Sequence, residues 1–183
     1  MQRRRKLGGI MRANHEAGRP IFEGIEQFIF YGDLIDSNRQ STFDANSLFR
    51  EILRDYPDTI LLLNLRDREA WIRSRLKHGH GEFAEREQQL RGLHSLEALC
   101  DCWRDEWDLH ISAVRTFMAE RPQQLVEFNI DTDPVEMLAA RLPAFALNPD
   151  DFVDIGRSRG RHLPGPLKTL KAWMARHKLR AQR

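Results

Sequence analysis

Arg66 is the residue of this chain whose surroundings best suit an anion. It follows a continuous apolar run, Thr59-Ile-Leu-Leu-Leu-Asn-Leu65, and precedes Asp67, a residue type that favours helix starts. A run of that length after turn residues predicts a buried strand of a parallel sheet. Ligands in such sheets sit outside the carboxyl ends of the strands, where Arg66 would stand. The helix start beyond it offers unpaired N–H groups and partial positive charge, and a guanidinium beside them can hold two phosphate oxygens at once. Ser74, eight residues on, carries a hydroxyl that can donate to the same group, and Arg73 and Arg75 add positive charge nearby. The same residues would also serve as an Arg–Asp pair that caps a helix.

Other reactive side chains point less clearly to chemistry. His78 and His80 lie in a glycine linker with no third ligand at useful spacing, so no metal is expected. Glu106, Asp108 and His110 could suggest acid–base work, but His110 shares an apolar stripe with Trp107 and Val114 and reads as a hydrogen-bonded core histidine. Cys100 and Cys102, the only cysteines, are too close together to bridge one another and too few for zinc. They read as reduced, structural residues of a cytoplasmic protein.

The elements that must position Arg66 follow from the pattern of apolar residues. A helix is predicted over residues 2–17, stopped by Gly18 and Pro20, then a short apolar strand or extended loop over 21–25. Residues 26–40 show no period and are rich in turn formers, as a stretch lining a site would be. Helices are predicted over 44–56, from Asp67 to about Gly79, over 83–91 and over 95–120. A second strand is predicted over 124–130, with a helix opened by Pro134 after it. A last, basic amphipathic helix is predicted over 167–179. The alternation predicts an α/β fold, helix-rich, with a parallel sheet flanked by helices, as one domain over residues 1–183.

The segment Asn64-Leu-Arg-Asp-Arg-Glu-Ala-Trp-Ile-Arg-Ser74 resembles the 3′-phosphate-binding segment of sulfotransferases that use 3′-phosphoadenosine 5′-phosphosulfate (PAPS). In that family a strand delivers an Arg and the following helix carries a Ser eight residues later. Arg66 and Ser74 match those positions. Residues 14–33, with Gly18-Arg-Pro20 and Tyr31-Gly-Asp33, resemble the bacterial form of the family, as do Tyr56-Pro57, the long helix with Trp103 and His110, and the strand and helix over 125–142. The resemblance covers residues 10–145, and residues 146–183, outside it, are expected to form a C-terminal loop and basic helix.

The resemblance implies a P-loop-type nucleotide-binding fold and sulfuryl transfer from PAPS to a hydroxyl or amine of a small-molecule or glycan acceptor. It implies cofactor contacts from Arg66 and Ser74, with Arg157 and Arg159 of Gly156-Arg-Ser-Arg-Gly160 as second contacts. Transfer needs a base for the acceptor. Glu23, Glu26 and Asp33 lie in the irregular stretch expected to face the cleft, and Asp33 fits the family's acidic position best. The family's N-terminal strand, Gly-rich phosphate loop and helix have no counterpart, because Gly8-Gly9 lacks both a preceding strand and a following Thr. The chain therefore reads as N-terminally truncated relative to the family. The alternative is a non-catalytic nucleotide-binding or interaction protein on the same scaffold.

Composition narrows the partners. The chain has 183 residues, 41% hydrophobic and 31% charged, with a formal net charge of +2. Those proportions fit a globular domain, and the small net charge gives no reason to expect nucleic-acid binding. No apolar stretch is long enough to span a membrane, and no signal peptide is expected. Homo-oligomerisation through an open sheet edge is a further expectation.

Overall fold

The computed structural model describes residues 6–152. Helix α1 (Leu7–Glu16) leads through successive turns to an antiparallel hairpin, β1 (Ile35–Ser37) and β2 (Thr42–Asp44). A 3₁₀ turn (Ala45–Leu48) continues into α2 (Phe49–Asp55). Strand β3 (Leu61–Leu65) is followed by α3 (Arg68–Lys77), α4 (Glu82–Leu90) and the long α5 (Leu96–Met118). Strand β4 (Leu125–Asn129) and α6 (Val135–Arg141) are the last strand and α-helix among the described residues. β3 and β4 pair in parallel, from Leu61 opposite Leu125 to Leu65 opposite Asn129. The result is a helix-rich α/β fold with two small sheets, one of them parallel. No described helix is long and apolar enough to cross a membrane.

The helix starts are set by local chemistry. Asp67 accepts from the Ala70 N–H at 2.7 Å and Ser95 from the Ala98 N–H at 3.1 Å, each satisfying a donor that the first turn leaves free. Asp44 accepts from the Asn46 N–H at 3.0 Å and starts the 3₁₀ turn. The stripe of α5 then spans two clusters. Leu99 and Trp103 pack on Ile72 and Leu76 of α3 and on Phe83 of α4, whereas Val114 and Met118 pack on Leu63 of β3 and Leu53 of α2. One 23-residue helix thereby braces both the strand that leads into Arg66 and the helix that follows it.

Helix α1 lies within the predicted helix over 2–17, of which residues 2–5 lie outside the described residues, whereas residues 21–25 depart from the predicted strand or extended loop. Residues 21–25 form turns whose Ile21, Phe22 and Ile25 are buried. The buried Asn14 amide holds them by donating to the Ile21 and Glu23 carbonyls at 3.1 and 2.9 Å. The irregular stretch 26–40 contains β1, which three-residue pairing with β2 stabilises without any apolar period to reveal it. Gly8-Gly9 lie inside α1, and a Cβ on Gly8 would meet the Leu34 carbonyl oxygen at 2.3 Å. Glycine is needed there so that α1 can approach the hairpin.

Glu87, only 1% exposed, ties the hairpin to α4 and α5. It accepts from the Thr42 hydroxyl and from Arg91 Nε and Nη2 at 3.3 and 3.2 Å, while Arg91 also reaches Glu106. Removing one partner from a buried ionic network leaves the other charge uncompensated. We predict that Glu87→Ala lowers the unfolding free energy by about 3 kcal/mol in urea titration. His110 stands edge-on to Phe49, and burial lowers its pKa from the usual 6.5. A depressed folded pKa means that the unfolded chain binds the proton better. The contribution of His110 to stability is therefore complete above about pH 6.5 and declines as pH falls below it, and His110→Phe should remove that part of the decline in thermal melts.

Candidate functional site

The parallel register brings the carboxyl ends of β3 and β4 together. Ile130 extends the pairing by donating its N–H to the Leu65 carbonyl at 2.9 Å. Beyond it the chain turns tightly: Thr132 and Asp133 donate N–H groups to the Asn129 carbonyl, and Asp133 Oδ2 accepts from the Asn129 N–H at 2.8 Å. This turn swings Asp131 over the start of α3. Its Oδ2 accepts from the Asp67 N–H at 3.0 Å, and its Oδ1 lies 3.5 Å from Arg66 Nη2.

Arg66 therefore stands at the carboxyl end of β3, next to the first turn of α3. Its Nε is buried and has no hydrogen-bond partner among the described residues. Arg73 reaches back to Asp67 at 3.6 Å, and Arg68 pairs with Asp108 of α5. Glu69 receives two bonds from Arg104, both at 2.9 Å, and these hold its carboxyl below the usual range. Each cation around the first turn of α3 thus already faces a carboxylate. Arg66 is the one cation at this edge that keeps an unsatisfied buried donor; the other two such donors among the described residues, Arg75 Nε and Trp103 Nε1, lie in the core of α3, α4 and α5.

Ser74 is exposed on α3 with no hydrogen bond described for it. It follows Asp67 by seven residues and Ala70 by four, so it occupies the same side of the helix as the cap, about 9 Å along the axis from Arg68. Arg75 points elsewhere than its sequence neighbourhood suggests. Its guanidinium lies 4.6–4.9 Å from the Trp71, Trp103 and Phe83 rings, where burial lowers its pKa. It serves the core of α3, α4 and α5 and adds no charge to the Arg66 edge.

The candidate bases stand apart from that edge. Glu23 is exposed and pairs with Arg19 at 3.4 Å, and Glu26 accepts from the Gly24 N–H at 2.8 Å. Asp33 is exposed in a left-handed backbone conformation, φ 54°. No described hydrogen bond or ion pair links Glu23, Glu26 or Asp33 to Arg66 or Ser74. Arg157 and Arg159 lie outside the described residues. His78 packs edge-on against Phe83, and Cys100 is a buried free thiol whose pKa burial pushes up to about 11.

Residues 26–34 do line a cleft, but with apolar side chains. A half-open cavity of about 550 Å³ is walled by Ile29, Phe30, Tyr31 and Leu34 on one side and by 59–62 and Phe145 on another. It opens on the amino end of β3, about 16 Å along the strand from Arg66.

No protein-family model matches the chain, and no curated protein or solved structure matches it.

Asp131 is a neighbour of Arg66 that the local sequence does not announce. It lies 64 positions from Asp67, and the one signal for it is the polar turn Asn129-Ile-Asp-Thr-Asp133 at the carboxyl end of the second predicted strand. We predict that Asp131→Ala costs only about 0.5–1 kcal/mol of stability, because the pair is partly exposed. It should also speed hydrogen exchange of the Asp67 amide, measured by NMR.

Proposed function

We propose that the edge formed by Arg66 and the start of α3 binds the 3′-phosphate of PAPS, and that the chain is a relative of the PAPS-dependent sulfotransferases. The observation that carries this reading is the buried, unpartnered Nε of Arg66 beside a helix start. An unsatisfied buried donor costs about 1–3 kcal/mol, and a phosphate oxygen would supply its acceptor. Ser74, on the capped side of α3, would donate to the same group, and Arg157 and Arg159 would add contacts from the C-terminal loop. Asp131 and the phosphate would compete for the same donors, so the carboxylate holds the edge in order until the anion replaces it.

The reaction so inferred moves the sulfuryl group to an acceptor hydroxyl or amine. The acceptor's proton passes to a carboxylate, for which Asp33 and Glu23 are the candidates. The acceptor heteroatom bonds to sulfur as the bond from sulfur to the 5′-phosphate oxygen breaks, releasing adenosine 3′,5′-bisphosphate. Charge stabilisation and alignment would carry the rate, as in phosphoryl transfer.

A second reading, a non-catalytic nucleotide-binding or interaction protein on this scaffold, is favoured by the separation of Glu23 and Asp33 from Arg66. It is also favoured by Gly8-Gly9, which lie within α1 and make no phosphate loop. An assay for sulfate transfer from PAPS separates the two readings.

Calorimetric titration tests the shared claim. Adenosine 3′,5′-bisphosphate should bind at least about tenfold more tightly than AMP, and Arg66→Ala should weaken it by about 10- to 100-fold, the scale of a charge-assisted hydrogen bond. Equal affinities, or an Arg66→Ala variant that binds normally, would overturn it.

A further inference from the structure

The cleft at the amino end of β3 stands apart from the nucleotide reading and has its own chemistry. Ile29 and Phe30 on its wall are 84% and 69% exposed, and Ile60 and Phe145 are also open to solvent. Contiguous apolar surface of this kind marks a place where something docks. Its rings come from Phe22, Phe30, Tyr31, Phe49, Tyr56 and Phe145, and among the described residues the charged ones that line it are Asp55 and Asp58. Among the described residues no Lys, Arg or His lines it. Asp55 is already engaged by the Ile21 N–H and by Arg54, whereas Asp58 is exposed with no ion pair among the described residues.

Charge across the chain is divided in the same sense. Residues 6–152 hold 17 Lys and Arg against 26 Asp and Glu, while residues 153–183 hold nine Lys and Arg against Asp154 alone. Within that tail, Leu167, Leu170, Trp173 and Met174 are spaced for one side of a helix. Lys168, Lys171, Arg176 and Lys178 fall on the remaining arc. The described chain ends at Phe152, seven residues after Phe145 on the cleft wall. The 14 residues between Phe152 and Leu167 can span up to about 50 Å, ample to return to the cleft.

We propose that residues 167–179 of this same chain dock in the apolar cleft, with Leu167, Leu170, Trp173 and Met174 against the aromatic walls and the basic residues toward Asp58 and the acidic body. The apolar contact supplies the affinity, and the opposite charges select this occupant. Covalent linkage raises the tail's effective concentration at the cleft to the millimolar range, so even a weak segment stays bound.

Photocrosslinking of the full chain tests the proposal. Benzoylphenylalanine replaces Trp173, light and heavy isotope-labelled chains are mixed, and cross-linked peptides are mapped by mass spectrometry. The expected result is light–light and heavy–heavy links to peptides holding residues 28–34, 55–62 or 145. Their yield should fall by about threefold or more in 1 M salt. Ile60→Glu, and independently Phe145→Ser, should lower it as well. Links scattered over the surface, no links, or links only between light and heavy chains would overturn the proposal; the last outcome would assign the cleft to a second copy. The sites of linkage in the unsubstituted cleft decide the matter even if either cleft variant is unstable.

Discussion

The parallel pairing of β3 with β4 is the constraint on which the rest of this structure depends. Its register places Leu65 beside Asn129, so both strands finish at one edge and their following turns meet there. Without that pairing Asp131 could not reach the Asp67 amide, and Arg66 would lie on an open loop. The pairing is itself held from outside the sheet, because Val114 and Met118 of α5 cover Leu63 while the other half of α5 anchors α3. A two-stranded sheet has little stability alone. The long helix therefore connects the core to the position of Arg66.

At that edge the balance of charge is close. Arg66, Arg68, Arg73 and Arg104 face Asp131, Asp108, Asp67 and Glu69, respectively. Most of these pairs are partly exposed and contribute little each. Their effect is to orient side chains around the first turn of α3 and to lower the net field that an incoming anion would feel. Any anion bound here has to displace a carboxylate, and discrimination would come from geometry around the Arg66 Nε more than from net charge. The acidic body as a whole reinforces this, since 26 carboxylates surround 17 cations in residues 6–152.

The parts legible in the sequence were those written in local chemistry. The apolar run ending at Leu65, the caps Asp67 and Ser95, and the three- and four-residue spacing along α5 each act within one element, and the structure has the corresponding strand and helices. The hairpin of β1 and β2 was hidden because three-residue strands among turn formers carry no period. Arg75 was misplaced because the sequence gives its proximity to Arg66 but not its side of α3; the Trp71, Trp103 and Phe83 rings come from three helices. Asp131 and the apolar cleft were hidden for the same reason, as both arise from residues far apart in the chain. The sequence places Glu23, Glu26 and Asp33 in an irregular stretch expected to face a cleft, but the cleft that Ile29, Phe30, Tyr31 and Leu34 line is largely apolar and lies at the other end of β3.

Two surfaces with different chemistry thus sit at opposite ends of one strand: an ordered, charge-balanced edge at Arg66 and an apolar cleft at Thr59–Leu62. The central proposal is that the Arg66 edge binds adenosine 3′,5′-bisphosphate, and backbone amide NMR of the full chain tests it directly. On addition of adenosine 3′,5′-bisphosphate, the account predicts shift changes concentrated at Arg66–Ser74 and at Asn129–Asp133, with the Asp67 amide among the largest. Changes confined to 28–34 and 59–62, or no changes at all, would contradict it.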